Sequence, residues 1–268
     1  MKQQLGSIIH QLTKLFAKRM EVSTAQTEEC VKRSLTTQHH LRDWLGTAAH
    51  EVIALGQNCN TAWYIKAAGL KRASYPFDWI YTTPAIITHI LDDDFAQLLD
   101  RELIIPHGMD AGHKVYHETL FGHRNPVRSD ADYAYYQRCV ARWRERMTRQ
   151  EPIVFVTTVL NEPDKRPRFK AGFTKQIQAP GHQTIADFEG MMQRLKHINP
   201  HCRFLFIEQY TEGAFQLDIT YQREDALWIR FSALGRNTGV RYLTEVDEQV
   251  MLSMFAALAA EPEKTTAA

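Results

Sequence analysis

The apolar residues of this chain keep two different rhythms. Short continuous runs occur at 51–55 (EVIAL), 152–160 (PIVFVTTVL), 202–210 (CRFLFIEQY) and 226–233 (ALWIRFSA). Their length and β-branched content predict strands buried on both faces. Between them the apolar spacing is helical. One helix is predicted over 60–69, stopped by Gly69. Another begins at Pro84 behind a Thr83 cap and places Ile86, Ile87, Ile90 and Leu91 on one face. Further helices are predicted over 130–149 and 184–197. The last opens at Thr244, with Asp247 three residues on in the manner of a capping box. A hairpin-like piece fits between the strands at 202–210 and 226–233. Strands alternating with helices predict an α/β domain, its sheet mostly parallel and its helices on both faces.

The remaining segments break the alternation. Residues 74–81 (SYPFDWIY) read as irregular and aromatic. Residues 105–130 are polar and carry His107, His113, His117 and His123, which is loop chemistry with a short strand around 115–120. Residues 161–181 read as a basic loop. Upstream, Leu5, Ile8, Ile9, Leu12, Leu15 and Phe16 form an apolar stripe, with Lys14, Lys18 and Arg19 off it. Such a helix packs on its own domain, binds a partner, or makes peripheral membrane contact through residues 3–19. A second helix is predicted over 28–45, stopped by Gly46. The chain thus divides into an N-terminal helical extension (1–46), a single α/β domain (47–260) and a flexible tail (261–268).

Composition narrows the function classes. Of 268 residues, 44% are hydrophobic and 24% charged, with a net charge of +1. That balance gives no support to a nucleic-acid partner. No apolar window is long enough for a transmembrane segment, and the first residues do not resemble a signal peptide, so the expected location is cytoplasmic. Cys30, Cys59, Cys139 and Cys202 are scattered without CxxC pairing. They are expected as free thiols, with neither a disulfide framework nor a zinc site. HExxH, GxGxxG after the first strand, Walker A and GxSxG are all absent from the sequence, so no metal and no cofactor are expected. The pattern carries no signal for oligomeric state.

Cys59 stands apart from the other cysteines. In LGQNCNTAW the strand ends, Gly56 permits a tight turn, and Cys59 falls in the first turn of the next helix. Ligands in open α/β sheets collect at such carboxyl ends of strands. Unpaired N–H groups and the helix dipole at that point favour a thiolate and could hold an oxyanion. Asn58, Asn60 and Gly56 join the candidate oxyanion or substrate set. Cys139 lies mid-helix and Cys202 at a strand start, as packing residues do. A nucleophilic cysteine needs a base and a group to orient that base. The four histidines all remain open on composition. His123, in FGHRNP, follows flexible Gly122 and has Asn125 close by. Asp78, set among Tyr75, Pro76, Phe77, Trp79 and Ile80, is expected to be partly buried. It either orients the base, contacts substrate beside Trp79, or caps the aromatic loop.

The stretch LGQNCNTAWYIKAAGLKRASYPFDWIYTTP resembles the opening signature of an uncharacterised bacterial family that carries the label papain-like cysteine peptidase. FGHRNP and the helix and strand that follow it resemble that family's middle section. The resemblance implies Cys59 as nucleophile and His123 as base, with Asn125 or Asp78 as the third residue. It also implies an alternative papain-like α+β fold, in which the cysteine helix packs on an antiparallel sheet. The strand–turn–nucleophile order is similar to that of SGNH-type esterases too, without their C-terminal DxxH. Two functions are therefore expected to compete. One is a cysteine hydrolase or acyl-transfer enzyme acting on a peptide, amide, ester or thioester. The other is a non-catalytic module that binds a peptide or glycan through the PFDW and histidine-rich loops. The distance from the Cys59 sulfur to an imidazole discriminates between them.

Overall fold

A computed structural model describes residues 23–48, 50–177 and 181–259. The predicted helix over 3–19, with its membrane-contact reading, and the tail 261–268 lie outside them. In chain order the elements are α1 (Thr24–Leu45), β1 (Glu51–Ala54), α2 (Cys59–Ala67), α3 (Pro84–Asp92), β2 (Ile104–His107), β3 (Asp110–His113), α4 (Asp130–Thr148), β4 (Ile153–Leu160), α5 (Arg166–Ala171), α6 (Ile185–Ile198), β5 (Cys202–Tyr210), β6 (Gln216–Gln222), β7 (Ala226–Ser232) and α7 (Glu245–Ala256).

The main sheet runs β1-β4-β5-β7-β6, and only β6, paired with β7, is antiparallel. Side chains alternate across it, and both faces are covered. Ile153, Phe155 and Val159 of β4 pack with Ile86, Ile90, Val140, Trp143 and Met191 from α3, α4 and α6. Val154 and Val156 pack on the other side with Leu41, Ala62, Ile65, Met251 and Phe255 from α1, α2 and α7. All eight residues of β4 are buried, which is why the run reads as continuously apolar. The mostly parallel α/β architecture is thus present, and the cysteine helix does not pack on an antiparallel sheet.

Local chemistry sets the boundaries. Ser23 and Gln26 form a capping box that starts α1 four residues ahead of the predicted 28, and Gly46, at φ 68, ends it. Thr83 accepts the Ile86 N–H at 3.2 Å, with Pro84 at the first helical position of α3. At the start of β1, Glu51 and Arg146 of α4 form a buried ion pair at 2.6 Å, and Tyr75 donates to Glu51 at 2.8 Å. Three expectations need correction. The strand placed at 115–120 is instead the hairpin β2–β3, turned at Gly108 with φ 58. The basic loop contains the short helix α5. Asp247 does not complete a capping box on α7, since it turns back to accept the Leu234 and Gly235 N–H groups at 3.1 and 2.8 Å.

Candidate active site

The carboxyl end of β1 feeds a turn made rigid from several sides. Leu55 continues the pairing by donating to Val156 O at 2.8 Å, and Thr157 Oγ1 donates to Leu55 O at 2.8 Å. Thr82 Oγ1 donates to Gly56 O. A Cβ on Gly56 would sit 2.6 Å from Asn58 O, so only glycine fits this bend. The Gln57 amide, fully inside, accepts from Leu160 N at 2.9 Å and exchanges hydrogen bonds with the Gln183 amide. Asn58 caps α2, its Oδ1 accepting from Asn60 N at 3.0 Å.

Cys59 is the first residue of α2. Its backbone N–H has no hydrogen-bond partner among the described residues, as expected at a helix N-terminus. Its Sγ lies 2.7 Å from His123 Nε2. The sulfur is partly buried and the imidazole exposed, so the pair opens to solvent on the histidine side. Burial pushes the Cys59 thiol up to about 11, whereas the helix terminus and a neighbouring imidazolium pull a thiol the other way. Burial likewise raises Cys30 to about 11 and Cys202 to about 12, and raises Cys139. Among the described residues none of these three hydrogen-bonds a histidine.

The structure sorts the other predicted residues. Asn58 and Asn60 serve the frame rather than an open site. Both are buried, and the Asn60 amide is used up by donating to Val240 O and accepting from Gln209, each at 2.9 Å. Asn125 does not reach His123 either. It donates to Met109 O and Asp110 O at 3.0 Å and accepts from Val127 N and Arg128 N, which pins the turn after the histidine to the β2–β3 hairpin. Asp78 is 2% exposed. It pairs with Lys71 and accepts Tyr75 N at 3.0 Å, and burial raises its carboxyl despite both partners. Among the described residues nothing hydrogen-bonds His123 Nδ1. Trp79 does reach the imidazole, with ring centroids 5.4 Å apart and planes at 68°.

Tyr81, which sequence reasoning passed over, belongs here as well. Burial and the nearby Cys59 hold its phenol above the ordinary range. Its ring stacks on His117 at 4.8 Å. The only signal for it was its place at the end of SYPFDWIY. His117 is itself buried and held down to about 4 by desolvation, and His113 is buried against Gln97 O at 2.9 Å.

A cavity of about 520 Å³ lies at the opposite, amino-terminal ends of the strands, lined by His50, Pro152, Lys196, His201, Arg203 and Arg223 among others. Its cations are already engaged, Lys196 and Arg223 with Asp225 and Arg203 with Leu45 O. The Cys59–His123 pair therefore lies at the strands' carboxyl ends and this cavity at the other end. Comparison with curated proteins and with solved structures found no match. Residues 50–123, from the residue before β1 to the histidine of the pair, match the model of the family described as "Putative papain-like cysteine peptidase (DUF1796)".

Proposed function

We propose that this protein is a cysteine-nucleophile hydrolase or acyltransferase. The contact of 2.7 Å between Cys59 Sγ and His123 Nε2 carries this reading. A buried structural cysteine needs no imidazole, and a binding module gains nothing from this contact. His123 Nε2 takes the thiol proton as Sγ attacks a carbonyl carbon. The carbonyl π electrons move to oxygen, and the oxyanion is met by the Cys59 N–H and the amino end of α2. His123 returns the proton to the leaving amine, alcohol or thiol as the tetrahedral intermediate collapses to an acyl-Cys59. Water, or an acceptor nucleophile, then attacks the thioester with Nε2 again as base. The family match favours a peptide or amide bond, and esters or thioesters obey the same chemistry.

The test is mass spectrometry of the intact protein after incubation with activated acyl esters and thioesters, together with turnover of a peptide-amide panel. An acyl adduct on Cys59 in wild type, absent in Cys59→Ala, is expected, with turnover lost in the same variant. Equal adduct formation or turnover in Cys59→Ala would sink the proposal. Retained binding of a peptide or glycan by that variant without any turnover in wild type would favour the binding module.

A further inference from the structure

The His123 ring is exposed and tethered through only one nitrogen. Nε2 meets Cys59, while Nδ1 has no partner among the described residues. An imidazole so placed is free to swing about its side-chain bonds unless something packs on it. The indole of Trp79 packs on it in a T-shaped contact at 5.4 Å. The indole is in turn set from behind. The Lys71 ammonium lies 5.8 Å from its ring centroid and pairs with the buried carboxylate of Asp78, which also holds the Tyr75 N–H. Lys71 and the segment SYPFDW thus form one mechanical chain, from a buried acid through lysine and indole to the base at His123.

We propose that Trp79 is the positioning residue for His123, filling with its ring the place a hydrogen-bonding carboxylate or amide fills in other Cys–His sites. The Asp78–Lys71 pair sets the angle of that ring. This inference rests on the Cys59–His123 reading above and assigns how its base is oriented. It gives Asp78 an indirect part, through Lys71 and Trp79, in place of direct contact with the base.

The experiment measures Cys59 alkylation by iodoacetamide across pH in wild type, Trp79→Leu, Trp79→Phe and His123→Ala, with the His123 ring protons followed by NMR. In Trp79→Leu the rate near neutral pH is expected to fall about tenfold and its midpoint to rise, whereas Trp79→Phe stays within about threefold of wild type. A residue that only filled space would change thermal stability without moving the midpoint. In wild type the His123 ring protons are expected upfield, shifted by the indole, and this holds even should Trp79→Leu fail to fold. An unchanged profile in Trp79→Leu, equal loss in Trp79→Phe, or His123 protons at ordinary positions overturns the proposal. If wild type and His123→Ala already react alike, the catalytic pair itself is wrong, and the positioning role falls with it.

Discussion

Removing the His123 imidazole should silence Cys59, and the size of the effect follows from the site. Burial pushes the thiol from 9.0 to about 11, a cost of about 3 kcal/mol for the thiolate. Opposite charges at 2.7 Å return about 6 kcal/mol at an effective dielectric of about 20. The amino end of α2 adds about 0.3–1 kcal/mol. The charge pair thus offsets the burial cost of the thiolate, and a sizeable fraction of thiolate is expected near neutral pH. In His123→Ala the compensating charge is gone, and the thiol returns to a value between 9.0 and about 11. The thiolate fraction at neutral pH then falls by at least about 50-fold. Alkylation by iodoacetamide, resolved by peptide mass spectrometry over a pH series, reads this directly, with buried Cys30, Cys139 and Cys202 as slow internal references. A rate drop under about threefold at neutral pH, or a wild-type midpoint already at the mutant's value, would refute the reasoning.

Other consequences can be checked with equally simple measurements. Gly56→Ala forces a Cβ within 2.6 Å of Asn58 O and should cost about 1–3 kcal/mol in urea unfolding while slowing Cys59 alkylation. Asn125→Ala removes four hydrogen bonds from the turn behind His123 and should raise amide exchange at 125–128 and lower Cys59 reactivity, with little change in global stability. Arg146→Leu strands the Glu51 carboxylate, 2.6 Å from its guanidinium in the native pair, and should destabilise by about 3–5 kcal/mol. Adding Glu51→Leu should recover part of that loss. Burial raises the Glu208 carboxyl, but hydrogen bonds from Asn161, Tyr210, Arg230 and Trp228 outweigh it and leave it below its ordinary value of 4.5. A depressed folded value stabilises above the unfolded one and is lost as pH falls through the folded one. Acid unfolding below about pH 4.5 should therefore be less steep in Glu208→Gln than in wild type, and identical slopes would argue against it.

The sheet was readable from the chain because each parallel strand is buried on both faces, and β4 and β5 appear as mostly apolar runs rather than as apolar–polar alternation. The place of Cys59 was readable for a related reason. A strand, a glycine and an asparagine cap leave little choice about where the next helix begins. The hairpin β2–β3 was misplaced because Pro106 lies inside it and its turn, Gly108 and Met109, lacks the usual asparagine–glycine or aspartate–glycine signal. Asp247 had the right spacing for a cap, yet the bare N–H groups at Leu234 and Gly235 claimed it. The orientation of the base could not be read at all. Asp78 chooses Lys71, seven residues upstream, and Asn125 spends its amide on its own loop. Such choices depend on which polar group is left unpaired once the layers close, and local sequence does not encode that.

Cys59 and His123 come from opposite sides of the sheet. Helix α2 is packed in the layer with α1 and α7, whereas Leu120 and Phe121, just ahead of the histidine, are packed with α3, α4 and α6. Neither hydrophobic layer alone brings sulfur and nitrogen together. Partial opening of either one, well short of global unfolding, should pull the pair apart while most helices and strands persist. Thiol reactivity at Cys59 would then serve as a chemical register of docking between layers. It should fade at lower denaturant than the circular dichroism of the backbone, and the gap between the two curves would measure how loosely one layer is held to the other.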